Sequence, residues 1–296
     1  MIHPCARPTM RDRATGTDSR TAGPVADPAT SPCSRGHSLR RSVGSPYDPP
    51  MSIGFGVDIG GSGIKGARVD LTTGELASDR VKIPTPRSYD IDEVAQTVLD
   101  VVAKAEWDGP FGCTFPGIVK HGVLHSAANL GPQWVGLDFQ SLLAERSGQK
   151  VAILNDADAA GLAEVDFGAA KDSPGVVIIT TLGTGIGSAL FLDGKLVPNT
   201  ELGHLEIDGE DAEMRASSAA KEREGLSFKE WAPRLQRFYS HLDFLFSPDL
   251  IVVGGGISRK SAKFLPLIEG LHCELVPAQL ENQAGIAGAA MAVQDV

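Results

Sequence analysis

The sequence predicts an internally duplicated α/β protein of two lobes. Three observations carry the prediction. The order strand, glycine loop, strand, turn, strand occurs in MSIGFGVDIGGSGIKGARVDLTTGELASDRVKI, residues 51–83, and again in GVVIITTLGTGIGSALFLDGKLV, residues 175–197. Apolar strands and amphipathic helices fill the chain between and after the two copies. With 296 residues, 42% of them hydrophobic, the chain can bury the core of one large domain or two ordinary ones.

Residues 1–50 stand apart. They hold 8 of the 19 prolines and 7 arginines, with no lysine or glutamate. No helical or strand period runs through them, so they cannot bury enough surface to offset their ordering entropy. They read as a disordered extension, or as translated sequence upstream of a start at Met51. Their arginine-rich, glutamate-free composition is also faintly similar to an organelle transit peptide.

In the first copy, residues 52–58 and 64–71 read as strands, Thr72-Thr73-Gly74 as a turn and residues 76–83 as a third strand. Gly60-Gly61-Ser62-Gly63 joins the first two. Ser88 or Asp90 can cap a helix reaching about Glu106, with Val94, Val98, Val101 and Val102 on its buried side. Residues 111–115 form a short strand. The loop 126–134 carries Asn129 and Trp134, and the tryptophan suits a site wall and a core equally well. A helix over 139–146 follows, then a strand over 150–154 that runs into Asn155-Asp156-Ala157-Asp158. Polar side chains where a strand ends and a helix begins mark the ligand side of an α/β sheet, although one of them can be a cap.

In the second copy the loop is Leu182-Gly183-Thr184-Gly185, and Asp193-Gly194 makes the tight turn. Glycines allow positive φ and close approach of a ligand to the main chain. Successive amides can then hold an anion. Gly254-Gly255-Gly256 adds a third such loop after the strand 250–253. GSGIKG at 61–66 formally matches a dinucleotide fingerprint, but that motif needs a helix where strand and turn follow here. No Gly-Lys-Ser/Thr follows the glycines, so a Walker A loop is absent.

Glu201-Leu202-Gly203-His204 places an acid and a histidine on one turn. A metal at His204 lacks partners in the local sequence. The pair suits a polyol, since glutamate accepts two hydroxyl hydrogen bonds and imidazole makes one more. A merely structural, hydrogen-bonded histidine is the plainer reading. Residues 208–224 are charged and alanine-rich and give no clear element. Ser227 with Glu230 forms a capping box, opening a helix that runs past Trp231, Leu235, Phe238, Tyr239, Leu242 and Leu245. A glycine-spaced helix over 284–293 closes the chain.

Composition excludes several classes. The formal charge is −10, and residues 51–296 alone carry 20 basic and 33 acidic side chains, a net of −13. A broad cationic face for nucleic acid or anionic lipid is thereby disfavoured. No apolar run reaches the length of a membrane span. Cys5, Cys33, Cys113 and Cys273 are too scattered for a disulfide framework or a cysteine zinc knuckle. A reduced, cytoplasmic protein is expected.

With these motifs in hand, residues 52–296 resemble the ROK family of sugar kinases, and more closely its actinobacterial polyphosphate glucokinase branch. The segments that carry the resemblance are DIGGSGIKG (58–66), NDADAAG (155–161), TTLGTGIGSAL (180–190), ELGH (201–204) and VVGGGIS (252–258). FPGIVKHG (115–122) and SAANLGPQWVGLD (126–138) are similar to that branch in particular. The resemblance implies an actin/hexokinase-like (ribonuclease H-like) fold, with two lobes on mixed sheets around a central cleft. Lobes over 51–155 and 156–283 are expected, the first completed by the helix of 284–296.

The resemblance further implies transfer of a phosphoryl group from polyphosphate or ATP to the 6-hydroxyl of glucose. Asp156 is then the general base. Asn155, Asp156, Glu201, His204 and Asn129 contact the sugar. By distance from His204 a further sugar glutamate is Glu222, with Glu213 competing. Gly60, Gly61, Ser62, Gly63, Lys65, Thr181, Gly183, Thr184, Gly185, Gly254, Gly255 and Gly256 hold phosphate, and Asp58 orients Mg2+. Most relatives bind structural zinc through a cysteine cluster soon after the Glu-x-Gly-His motif. Residues 205–222 have no cysteine, so no structural zinc is expected. The basic residues available to a polyphosphate groove are Lys65, Arg68, Lys82, Lys120 and Lys171. The oligomeric state is unreadable from the sequence; members of the family are often homodimers. A strictly ATP-dependent glucokinase, a glucomannokinase and a non-catalytic ROK-type regulator are the rival readings. The regulator would need an N-terminal helix-turn-helix, and residues 1–50 show no helical pattern.

Overall fold

Strand β1, Ile53–Gly60, sets the architecture by strict alternation. Phe55, Val57 and Ile59 point to one face of the sheet and are buried. Gly54, Gly56, Asp58 and Gly60 occupy the other face, where little or no side chain stands above the backbone. The computed structural model describes residues 52–127 and 130–295, so the extension read from residues 1–50 and the sugar contact read at Asn129 lie outside the described residues.

The first sheet has the order β3-β2-β1-β4-β7. Strands β2 (Gly63–Asp70) and β3 (Val81–Ile83) run antiparallel beside β1, and β4 (Phe111–Phe115) and β7 (Val151–Asn155) run parallel to it. A small hairpin of β5 (Val119–Lys120) and β6 (Val123–Leu124) lies between β4 and β7 in the chain. The second sheet has the order β10-β9-β8-β13-β14, built from β8 (Val176–Leu182), β9 (Ile186–Leu192), β10 (Lys195–Val197), β13 (Leu250–Gly254) and β14 (Glu274–Pro277). Its antiparallel and parallel neighbours repeat those of the first sheet strand for strand. The duplication seen in the glycine hairpins therefore extends to both five-stranded mixed sheets.

Helices α1 (Ile91–Lys104) and α2 (Phe139–Ser147) cover the apolar face of the first sheet. On its glycine face lies α7 (Ala284–Ala292), packed on α3 (Asp156–Phe167), which in turn covers the second sheet through Leu162 and Val165. The far face of the second sheet packs on α6 (Phe228–Phe246). The layers thus run α1/α2, sheet, α7, α3, sheet, α6. A Cβ at Gly56 would stand 1.9 Å from the Ile286 carbonyl, one at Gly112 1.7 Å from that of Ala289, and one at Gly288 1.7 Å from that of Ala159. The central layers touch backbone to backbone, which only glycine permits at those positions.

The structure settles several local points the sequence left open and shortens one strand. The third strand of the first copy shrinks to Val81–Ile83, with a lone bridge between Leu76 and Val69. Between them the Ser78 hydroxyl accepts from the Arg68 N–H (3.0 Å), so a side chain takes the place of a ladder partner. Trp134 is wholly buried against Phe115 and Phe139 and donates to the Tyr89 carbonyl (3.0 Å), which makes it core rather than site wall. Residues 208–224 resolve into a hairpin of β11 (Glu206–Ile207) and β12 (Glu210–Asp211) and short helices α4 (Ala212–Ala216) and α5 (Ser218–Arg223). Leu245 is exposed, because Leu242 and Phe246, rather than Leu245, turn the end of α6 onto the core. No helix among the described residues is long and apolar enough to cross a membrane.

Candidate active site

The glycine face of β1 ends in Asp58, just beyond the start of α7. Thr114 on β4 donates its hydroxyl to Asp58 Oδ1 (3.0 Å) while accepting from the Ile59 N–H (3.2 Å). Lys65, opposite Asp58 in the β1–β2 register, brings its Nζ within 3.5 Å of the other carboxylate oxygen. Asp58, Lys65, Asp156, Thr181, Gly254 and Gly255 border one cavity of about 190 Å³. Residues predicted from four separate segments thus meet in one cleft.

The glycine loops serve differently from the expectation. Gly60 and Gly63 already pair as strand residues, leaving Gly61-Ser62 as the turn. None of Gly60, Gly61, Gly63, Gly183 and Gly185 has positive φ. A Cβ at Gly61 or Gly183 would meet nothing within 4 Å, so there the absent side chain leaves open space above the backbone. Gly255 is the exception, with φ +82° and a backbone pressed against Leu182 of the second loop. The Ser62 and Thr184 hydroxyls are exposed and make no hydrogen bond among the described residues.

Asp156 opens α3 directly after β7. Water reaches its side chain, but from the floor of a cleft walled by protein. That partial loss of solvent, then the charge of Asp58, push its pKa up to about 6, with the Ala157 amide opposing and Glu201 adding. Asn155 is the cap of α3: its Oδ1 accepts from the Ala157 N–H (2.8 Å) and the Asp158 N–H (3.0 Å). Its amide donates to the Gly117 carbonyl (3.1 Å). One N–H therefore remains for a sugar, fewer contacts than the sequence alone suggested.

Asp158 was not singled out from the sequence. It is only 2% exposed; Oδ2 accepts from the Asn199 N–H (2.8 Å), and Oδ1 is buried without a partner. Burial lifts its pKa to about 7 against that one hydrogen bond, with Glu201 and Asp156 adding. The Asn199 side chain in turn clasps Val119, accepting from its N–H (2.7 Å) and donating to its carbonyl (2.8 Å). This ties the segment leading to Glu201 onto the half of the molecule that carries Asp58.

Glu201 and His204 flank a single 3-10 turn, Leu202–His204. His204 is exposed, and its Nδ1 lies 2.8 Å from Asp211 Oδ2 and 4.0 Å from Glu213 Oε1. The Asp211 hydrogen bond raises the His204 pKa, burial opposes it, and the neighbouring carboxylates add. Burial also raises that of Glu201, with His204 opposing and Glu213 adding. Glu213 Oε2 accepts from the Ile186 N–H (3.0 Å), so Glu213 bridges the second glycine loop and His204. Of the two competing glutamates the structure brings in Glu213. The Glu222 side chain is exposed on α5 and makes no hydrogen bond or ion pair among the described residues. Ligand atoms of His204, Asp211 and Glu213 all lie within 4.8 Å of one another, close enough to hold a metal ion. That corrects the expectation that His204 lacks partners: they come from a hairpin and helix the sequence did not reveal.

Of the five basic residues, Lys65 and Lys82 are paired across β2 and β3. Arg68 turns away to the Ala105 and Glu106 carbonyls and the Trp107 ring. Neither Lys120 nor Lys171 borders the cavity.

Comparison with known proteins fits this geometry. The ROK family model matches residues 54–225. The polyphosphate glucokinase of Mycobacterium tuberculosis is 51% identical over 240 residues, covering 81% of this chain and 90% of that protein. The chain belongs to the ROK family. Among solved ROK-type structures, the inorganic polyphosphate/ATP-glucomannokinase from Arthrobacter sp. strain KM is 52% identical with a TM-score of 0.78, over 82% of this chain and 98% of that one. The ROK family glucokinase from Streptomyces griseus, solved with glucose and AMPPNP, is 24% identical with a TM-score of 0.70, over 82% and 100%. It shares the fold. The bilobal actin/hexokinase-like architecture expected from the sequence is the one observed.

Proposed function

We propose that this ROK protein is a polyphosphate-dependent glucokinase, moving the terminal phosphoryl group of polyphosphate, and of ATP, onto the 6-hydroxyl of glucose. The supporting observation is the position of Asp156, beside the glycine-lined cleft and within electrostatic reach of both Asp58 and Glu201, in a chain half-identical to a polyphosphate glucokinase.

Asp156 takes the hydroxyl proton as that oxygen bonds to the terminal phosphorus. The phosphorus–oxygen bond to the rest of the donor breaks, and the shortened chain leaves as an anion. A carboxylate with a pKa of about 6 is ionised at neutral pH yet more basic than an ordinary aspartate. Glu201, His204 and Glu213 bind sugar hydroxyls. Lys65, the loop amides and the Ser62 and Thr184 hydroxyls face the charge on the transferred group.

Asp58 suits Mg2+ held through water: it offers one carboxylate, already hydrogen-bonded by Thr114, and magnesium keeps much of its hydration shell. When bound, Mg2+ neutralises donor charge. We read His204, Asp211 and Glu213 as a hydrogen-bonded sugar subsite rather than a structural zinc centre. No thiolate joins them among the described residues, and Ile186 already occupies one Glu213 oxygen. The Arthrobacter relative's name favours mannose as a second acceptor.

Glucose 6-phosphate formation by the purified chain, with polyphosphate and ATP in parallel, tests the reading. Turnover with polyphosphate is expected, and Asp156→Ala abolishes it while the fold persists. Turnover with ATP alone retires the polyphosphate donor, and near-native kcat in the variant retires Asp156 as base.

A further inference from the structure

Beyond the third glycine loop the chain turns cationic. Gly256–Lys263, GISRKSAK, forms 3-10 turns bent at Lys260 and holds Arg259, Lys260 and Lys263 with no acid. All three are exposed, on a body whose net charge is −13. Arg259 Nε lies 4.0 Å from Glu281 Oε2, and Glu281 borders the same cavity as Asp58 and Asp156. That separation is too long for a hydrogen bond, so the guanidinium remains open to a ligand. Further along, Lys263 Nζ sits 5.7 Å and Lys221 Nζ 4.6 Å from the centroid of the Phe228 ring. Neither lysine, nor Lys260, has a carboxylate partner among the described residues. Four cations therefore lead away from the loop that borders the phosphoryl cleft. None of them was among the five basic residues the sequence offered for a groove.

A nucleotide has little use for such a strip, because its charge ends after three phosphates. A linear polyphosphate carries charge on every unit. From Arg259 to Lys263 the bent turns rise about 8 Å at roughly 2 Å per residue, and Lys221 beside the Phe228 ring lengthens the row to match a few units. We propose that Arg259, Lys260, Lys263 and Lys221 form a track holding the polyphosphate units behind the one transferred. The proposal rests on the polyphosphate reading above. Each contact is exposed and salt-screened, so the track acts by summing weak contacts. Its affinity then grows with chain length and falls with salt, as for other polyanions.

The test measures KM for short and long polyphosphates, with glucose saturating, in the full-length wild type and in R259A/K260A/K263A. Wild-type KM is expected to fall as the chain lengthens. In the triple variant that gain is largely lost, with KM for long chains raised about tenfold and a flatter salt dependence. Its kcat, its KM for short chains and its KM for glucose stay near wild type. Lys260→Glu, a charge reversal, exceeds Lys260→Ala in the same direction. Wild-type turnover of polyphosphate with the same chain-length dependence in the triple variant overturns the track and leaves the proposed function standing. A wild type inactive with every polyphosphate overturns both.

Discussion

At the residue scale the neighbouring aspartates of α3 divide the work by environment. As the proposed base Asp156 must be ionised to accept a proton, and its pKa is about 6. The rate should therefore fall about tenfold per unit as pH drops below 6, and a pH–rate profile of kcat/KM with glucose checks this. Asp158 is sealed in, with a pKa of about 7 against an ordinary value near 3.8. The folded protein thus keeps a proton there that the unfolded chain releases, and stability declines as pH rises from about 4 to 7. Asp158→Asn retains an acceptor for the Asn199 N–H and has no charge to bury. Melting curves should show the variant and wild type equal near pH 4. By pH 8 the variant should be the more stable, by a few kcal/mol at most. Curves that stay parallel across pH exclude this. Asp211 acts through His204. Asp211→Asn should lower the His204 pKa and raise KM for glucose about fivefold, the ~1 kcal/mol of a half-exposed hydrogen bond, with kcat little changed. Equal losses in KM and kcat would mean that Asp211 does more than position the ring.

At the element scale glycine has two separate uses, and substitution distinguishes them. Gly112 and Gly288 lie where a Cβ would stand 1.7 Å from a carbonyl oxygen, so Ala there should cost about 3 kcal/mol or more, seen as an earlier denaturant midpoint. Gly61 and Gly183 have open space above them and no positive φ. Gly61→Ala and Gly183→Ala should melt like wild type yet lose phosphoryl transfer, since a methyl group would stand where the donor lies. Melting and activity lost together at Gly61 would make that loop structural. The duplication, the capping box of α6 and the helices α1, α2 and α3 were legible because period and caps are local, and α7 from the spacing of its small residues. The short β3 was not, because a serine hydroxyl stands in for the ladder. Trp134 needed the tertiary contacts of Phe115 and Phe139 before it could be placed. Glu213, Asp211 and Asn199 reach the site through a hairpin and a turn whose directions no periodicity encodes. Thr114 is the one hydroxyl of its strand FGCTF, and that was its only signal.

At the scale of the whole molecule, the layer order puts small-residue helices at the centre and bulky clusters outside. Sheet one reaches α7 through glycines, and α7 meets α3 with Gly288 against Ala159. Few long side chains interlock across these central layers, so they can shift against each other at less cost than the aromatic-rich outer cores. The Asn199 clasp on Val119 joins the two halves beside the site, with Asn199 in a left-handed conformation (φ 59°) that asparagine tolerates. The groups proposed to act on donor and sugar are split across this seam: Asp58, Thr114 and Lys65 on one side, Glu201, His204 and Glu213 on the other. Water is the competing acceptor for the phosphoryl group, and an open cleft admits it. Sugar that contacts both Asp156 and the Glu201 turn would draw the halves together and exclude it. Small-angle scattering should then show a smaller radius of gyration at saturating glucose than without it. An unchanged scattering curve, with glucose binding verified by calorimetry in the same sample, would overturn closure on the sugar, since in the structure seen here water reaches Asp156.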